Sequence, residues 1–247
     1  MQITLIGHST VLIEAGGMKI LTDPFFKTWG NPAYRRSSPP ACSRQELKDV
    51  DLVLVSHTHW DHVDRQYFKL IGKVVPVFAS SLLEGLVKLS GAQNVVALQP
   101  WEHRKFDGLT LTAVPAIHLA PASGFIIQIE GKTVYFAGDT FYGRFVEKIA
   151  REFPIIDIAL LPVSTYRIPM TMSEDGALKA VKMLKPGVIV PIHLGLEPRL
   201  PIMRTRQTAE GFSKKVLQAG LESKVVLLGP SVQGPDASGS DPSKFTV

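Results

Sequence analysis

Residues 56–62 read SHTHWDH, three histidines and an aspartate in seven positions, directly behind the apolar run VDLVLV at 50–55. A short, unbroken Val/Leu run ended by polar residues reads as a strand buried on both faces. That much imidazole at the end of such a strand is out of place in a plain connecting loop. His57 and His59 stand two apart, so in an extended chain or the turn after a strand both rings can face one way. Asp61 and His62 then point to a neighbouring position. Imidazole nitrogens and carboxylate oxygens suit zinc and similar divalent ions. One metal needs at least three protein ligands, so two metals need more than this segment supplies.

Further donors stand at other strand ends: His118 closes LTLTAVPAIH (109–118), Asp139 closes KTVYFAGD (132–139) and His193 closes GVIVPIH (187–193). Loops at one edge of a sheet carry function in layered folds. A lone strand-end histidine is more often surface or satisfied core than ligand. Three ligand-type residues at equivalent ends, in a chain that already contains H-x-H-x-D-H, reverse that reading. Cys42 is the single cysteine, which excludes an intramolecular disulfide and any site of clustered thiolates. A metal here has to be held by histidine and carboxylate.

The remaining pattern is that of an α/β chain. Short Val/Ile/Leu-rich runs bounded by Gly, Pro or Asp recur as strands: ITLIG, TVLIEA, MKILTD, VVPVFAS, GFIIQIE, DIALLPV and KVVLLGP join those already quoted. Apolar residues at three- and four-residue spacing predict helices in SSLLEGLVKLS (80–90), FYGRFVEKIAREF (141–153), SEDGALKAVKML (173–184) and RQTAEGFSKKVLQAG (206–220). Ser173 is a weak start signal and Gly220 a stop signal. Each half opens on hairpin-like material, with turns in EAGGMK and IEGKT, and then alternates strands with helices. Two sheets packed face to face with helices outside follow from that plan. Residues 1–230 are expected to form one domain. From Ser231 the chain is polar, aperiodic and rich in Gly, Ser and Pro, and residues 231–247 are expected to be a disordered tail.

The net charge of +5 is scattered, with short clusters only at Arg35-Arg36 and Lys214-Lys215. A solvated surface with a mild basic excess explains it, and an anionic substrate or a nucleic acid is the sharper alternative. Neither a signal-peptide pattern nor an apolar run long enough to span a bilayer is present, so a soluble cytoplasmic protein is expected.

The order His57-x-His59-x-Asp61-His62, then His118, then GDT with Asp139, then PIH with His193, resembles the metallo-β-lactamase superfamily. The flanking LIGHST, ILTDPF, GFIIQIEGKTVYFAGDTFYG and DIALLPVSTY narrow the likeness to the branch of ascorbate-6-phosphate lactonase-like hydrolases and the N-acyl-phosphatidylethanolamine-hydrolysing phospholipase D. It covers nearly everything from Gln2 to about Gly229. The resemblance implies a four-layer αβ/βα sandwich with two metals at the mouth of the paired sheets. Its ligand pattern puts His57, His59 and His118 on one metal and Asp61, His62 and His193 on the other, with Asp139 bridging. The metals implied are two divalent ions, zinc first, with manganese or iron as alternatives. Two cations sharing one water lower its pKa from 15.7 to about 7, which makes a bridging hydroxide the expected nucleophile. Asp61 and His193 are the residues on which turnover is expected to depend, Asp61 also as a proton donor to the leaving group.

Around this set, His8 in GHST and Asp23 in LTDP match places in this branch where a hydrogen bond to a ligand imidazole would fix its tautomer; a substrate-pocket or packed strand-end histidine is the alternative for His8, and a plain turn-former before Pro24 for Asp23. Asp64 reads as a helix N-cap as readily as a catalytic group. Tyr166 and Arg167 sit in a loop where substrate contacts are expected, and Arg35 or Arg36 offers a guanidinium from another loop, with an ordinary solvated loop as the plain alternative. His103 reads as surface. The expected activity is hydrolysis of a small-molecule lactone or phosphoester, with an anionic substrate and relaxed selectivity both left open. Cleavage of RNA or of a phospholipid is the alternative, and a metal-binding or redox module the non-hydrolytic one. No stable nucleic-acid partner is expected, no membrane span, and a homo-oligomer is left open.

Overall fold

The computed structural model describes residues 1–28, 31–229 and 241–247. Sixteen strands and five α-helices are found among them. The first half supplies β1 (Gln2–Gly7), β2 (Thr10–Ala15), β3 (Met18–Thr22), β4 (Tyr34–Arg36), β5 (Leu52–Val55), α1 (Arg65–Ile71), β6 (Val77–Ser80), α2 (Glu84–Leu89) and β7 (Val95–Leu98). The second half runs through β8 (His103–Phe106), β9 (Leu109–Pro115), β10 (Ser123–Ile129), β11 (Lys132–Phe136), α3 (Phe145–Glu152), β12 (Ile158–Pro162), α4 (Glu174–Leu184), β13 (Val188–Ile192), β14 (Leu196–Pro198), α5 (Ala209–Gln218), β15 (Lys224–Val225) and β16 (Lys244–Thr246).

Two seven-stranded sheets result, ordered β16-β1-β2-β3-β5-β6-β7 and β15-β13-β12-β11-β10-β9-β8, with β4 and β14 paired apart from them. Each sheet joins an antiparallel half to a parallel one. The β2-β3 and β10-β11 hairpins turn through Gly16-Gly17 and Glu130-Gly131, all at positive φ, which is the turn whose twist matches the strands. One core lies between the sheets, where Ile3, Ile13, Leu52 and Leu54 meet Leu111, Phe125, Phe136 and Leu160. A second packs the outer face of the first sheet, through Val53, Val55 and Val77, on Tyr67, Phe68 and Val87 of α1 and α2. A third sets Ile126, Ala159 and Ile189 against Ile149, Val181 and Phe212 of α3 to α5. The four layers are those of the metallo-β-lactamase fold.

Strand direction places the site. β1, β3 and β5 run one way in the first sheet, and β9, β11 and β13 run one way in the second. Their carboxyl ends deliver His8, Asp23 and His57 on one side, and His118, Asp139 and His193 on the other. Gly138 lets these edges close: at φ +57°, a Cβ there would overlap the Ser56 side chain. Ser123 N donates to Ser56 O at 2.9 Å across the same seam.

The disordered tail needs correction for its last residues. Lys244–Thr246 pair antiparallel with β1, with Phe245 opposite Ile3, and Leu5 N donates to a buried Ser243 at 2.9 Å. A strand so short has no periodicity to read; its partner, the open edge of β1, lies at the far end of the chain. Residues 231–240 of that expectation lie outside the described residues.

Candidate metal centre

The SHTHWDH turn is organised by Asp23. Its Oδ1 accepts the Ser56 backbone N–H at 2.7 Å, and its Oδ2 accepts the Ser56 hydroxyl and lies 2.7 Å from His62 Nδ1. His62 N donates back to His59 O at 3.0 Å, closing the turn. Asp23 thus grips both ends of the segment while wholly buried. The hydrogen bond expected from this residue to a neighbouring imidazole is present.

Three groups of donors form among the described residues, one of which, Asp23 with His57 and His62, overlaps the other two. One atom each from His57, His59 and His118 lie within 4.8 Å of one another, and so do atoms of His8, Asp61, His62 and His193. His118 Nε2 is 3.0 Å from His59 Nδ1. Asp139 stands between the groups, its Oδ2 3.1 Å from His193 Nε2, 3.5 Å from His62 Nε2 and 4.0 Å from His57 Nε2. Ile117 N donates to Thr140 Oγ1 at 2.9 Å, which ties the His118 loop to the GDT turn. His59 and His118 are partly exposed, whereas the second group and Asp139 are buried, so the mouth lies on the His59 side.

Several buried atoms here have no hydrogen-bond partner among the described residues: Nε2 of His8, His57 and His62, Nδ1 of His118 and Oδ1 of Asp139. Buried polar groups are nearly always satisfied, so this concentration of lone donors is chemistry that fits bound cations. The backbone is also held in unusual conformations, with φ +61° at His8, +33° at Asp23 and +60° at His193. Such angles are costly for side chains with a Cβ and persist where the surroundings enforce them. His193 N donates to His8 O at 3.1 Å, locking two of the three together.

The charges are strongly coupled. Burial drives His57 well below the ordinary histidine range and His118 down to about 4. For His62, burial is outweighed by Asp139 and Asp23 on either side, and the value rises well above the ordinary one. His193 rises too, because Asp139 overcomes its burial. Burial would raise Asp139 and Asp61, but the histidines around them hold both carboxyls below the usual range. Without a cation, the carboxylates therefore favour the protonated forms of His62 and His193, and the histidines favour the ionised forms of Asp139 and Asp61.

His8 belongs to the second group: Nε2 is 3.3 Å from Asp61 Oδ2, and Nδ1 is 3.3 Å from Leu194 O. The Tyr166 ring lies 5.9 Å from that of His193, and its buried hydroxyl is unpartnered among the described residues. Arg167 is exposed, and its backbone N–H donates to Met203 O at 3.0 Å. Tyr34, which the sequence reading passed over beside Arg35, links Trp60 (5.5 Å) to Tyr166 (5.1 Å) in an aromatic wall. Ser56 was missed as well, since nothing marks a serine beside a histidine as a brace. Asp64 caps α1, accepting from Gln66 and Tyr67 N–H, and its other oxygen meets Arg44 at 2.7 Å. Arg35 pairs with Glu197, and His103 is exposed on β8. A groove of about 590 Å³ starts at His193 and Tyr166 and extends to Arg204 and Gln207. A larger hollow, of about 890 Å³, is lined by Phe26, Arg44, Arg65 and Lys69 and holds none of these histidines.

Comparison with known proteins bears on this arrangement. A family model described as a beta-lactamase superfamily domain matches residues 18–194. A protein of Pyrococcus abyssi named as a UPF0173 metal-dependent hydrolase is 36% identical, over 93% of this chain and 96% of its own. The solved structure of a metallo hydrolase from the archaeon Ignicoccus hospitalis superposes with a TM-score of 0.75 at 27% identity, covering 100% of this chain and 98% of that one. An isothiocyanate hydrolase from Delia radicum gut bacteria shares the fold, with a TM-score of 0.79 at 23% identity over 100% and 99% of the two chains. No helix among the described residues is long and apolar enough to cross a membrane.

Proposed function

The chain belongs to the β-lactamase superfamily as a metal-dependent hydrolase, and from that premise we propose that it holds two divalent metal ions, zinc in the first place, and cleaves a small-molecule lactone or phosphoester. The observation that carries this reading is the position of Asp139 Oδ2 within 4.0 Å of histidines from both donor groups. The ligands assigned are His57, His59 and His118 for one ion and Asp61, His62 and His193 for the other, with Asp139 shared. When bound, the ions supply Lewis-acid polarisation of a carbonyl or phosphoryl oxygen and an acidified water.

The side chains do the rest. Asp23 accepts from His62 Nδ1 and so leaves Nε2 free to act as a donor toward the Asp139 side. Ser164 O, 3.2 Å from His193 Nδ1, orients that ring in the same way. Asp61, ionised and facing His8, can take up a proton and return it to a leaving oxygen. The Tyr166 hydroxyl, beside His193 and without another partner, is placed to donate to a substrate oxygen. The groove beyond it offers room for a small organic substrate.

The test is metal content together with a substrate screen. Zinc-replenished protein is expected to be colourless and to hold about two ions per chain, as the donor count requires. It should turn over simple lactones or p-nitrophenyl phosphodiesters and leave β-lactams intact. Protein that retains only trace metal after replenishment, or that holds metal and hydrolyses none of these, ends the reading.

The protonation states predict a pH dependence. Metal binding requires neutral imidazole. His62 and His193 have raised values, so their protons must leave before an ion enters; affinity therefore increases as pH rises through their range. Zinc added to unbuffered apoprotein should release more protons at about pH 6 than at about pH 9. A pH-independent release would mean that neither ring is protonated in the apoprotein.

A further inference from the structure

Arg36, at the end of β4, carries a largely buried guanidinium with too few partners. Nη2 donates to Phe25 O at 3.0 Å, and the group lies over the Phe25 ring at 4.6 Å. Nε and Nη1 are buried and have no hydrogen-bond partner among the described residues. A guanidinium has five N–H donors and stays charged; burial brings this one down to about 10, still far above neutral pH. Leaving such a charge desolvated and unpaired is costly. The carboxylate that acts on it is Asp61, whose charge is already shared with His8, His62 and His193. Arg35, next in sequence, does have its own carboxylate in Glu197.

Arg36 lines a cavity of about 150 Å³ together with Gly7, His8, Ser37, Ser38 and Leu194 among others. Gly7 packs against the guanidinium: a Cβ there would stand in ordinary contact with Nη1, 3.5 Å away, and its φ of +141° disfavours any side chain. Among the described residues no carboxylate lines the cavity. His8 separates it from the metal cluster, one ring edge on the cavity wall and Nε2 3.3 Å from Asp61.

From the orphaned Nε and Nη1 and the acid-free cavity beside them, we infer that Arg36 forms an oxyanion subsite, taking a phosphate, sulfate or carboxylate group behind His8. The planar fork of Nε and Nη1 suits two oxygens of one such group. The oxyanion is either a free ion or the anionic end of the molecule that enters the neighbouring site. The subsite does not depend on the metal chemistry, since none of its donors is among the assigned ligands.

Calorimetric titration with inorganic phosphate tests it. The wild-type chain is expected to bind, Arg36→Gln to bind about 10- to 100-fold more weakly, and Arg35→Gln, which removes the neighbouring guanidinium that Glu197 already pairs, to bind as wild type. Binding that Arg36→Gln leaves unchanged, or that Arg35→Gln weakens as much, overturns the inference. If Arg36→Gln does not fold, selenate soaked into wild-type crystals decides: an anomalous peak within hydrogen-bond reach of Arg36 supports the subsite, and ordered water alone in that cavity refutes it. Phosphate inhibition of phosphodiester turnover that disappears in Arg36→Gln identifies the group as the substrate's own end. Phosphate bound at Arg36 without such inhibition identifies a free ion.

Discussion

Asp139→Ala is expected to reduce kcat/KM by about a thousandfold or more, equivalent to about 4 kcal/mol of transition-state stabilisation, while the circular dichroism spectrum stays that of the wild type. Its carboxylate stands between the two sets of donors, 3.1 Å from His193 and 4.0 Å from His57. Removing it takes a negative charge from between the imidazoles that, on the proposed reading, hold two cations side by side. Metal content should fall with turnover, so mass spectrometry of the replenished variant belongs with the rate measurement. The fold survives because the adjoining backbone is held independently: Thr140 N donates to Thr171 Oγ1 at 3.1 Å, and Met172 N donates to Thr140 O at 2.9 Å. The metal-free variant carries a second signature. Asp139 is the largest influence raising His193 and His62 against their burial, so both should titrate lower without it. Zinc addition at about pH 6 should then release fewer protons than in the wild type. A variant that kept both its ions and its rate would remove Asp139 from the shared position.

Much of this centre is written locally, and what is not has a common cause. His57, His59, Asp61 and His62 lie in one turn, and His118, Asp139 and His193 each follow a strand that its own apolar run announces. Strand ends that point the same way in two packed sheets must meet at one edge, so convergence follows from topology. The hairpin glycines and the Asp64 and Ser173 caps are legible for the same reason, since each acts within a few residues of itself. What escaped the sequence acts across long separations. Tyr34 is 132 positions from the Tyr166 ring it packs on, which lies 5.1 Å away. The edge strand Lys244–Thr246 exists because β1, at the other end of the chain, leaves a ladder open. Arg35 and Arg36 are indistinguishable as a dipeptide; strand alternation sends one to Glu197 and the other under Phe25.

Asp23 separates folding from metal capture, and two substitutions there should give different results. Asp23→Ala deletes the acceptor for Ser56 N, for Ser56 Oγ and for His62 Nδ1 at once, in a place with no solvent to replace it. A buried donor set stripped of its carboxylate costs about 3–5 kcal/mol, which denaturant unfolding will read directly. Asp23→Asn keeps the shape. The Ser56 backbone N–H cannot turn away, so the amide oxygen must take the Oδ1 position and its NH2 must face His62 Nδ1. A donor now meets a donor, and His62 relieves the clash by moving its proton to Nε2, the nitrogen that faces Asp139 at 3.5 Å. That nitrogen can then no longer ligate. The asparagine variant should therefore unfold near the wild-type denaturant midpoint yet bind zinc about 10- to 100-fold more weakly, the usual effect of losing the partner that orients a ligand histidine. The alanine variant loses both stability and metal. If asparagine bound zinc as tightly as aspartate does, the Nδ1 hydrogen bond would not be what directs His62 toward the metal, and Asp23 would be a brace for the turn alone.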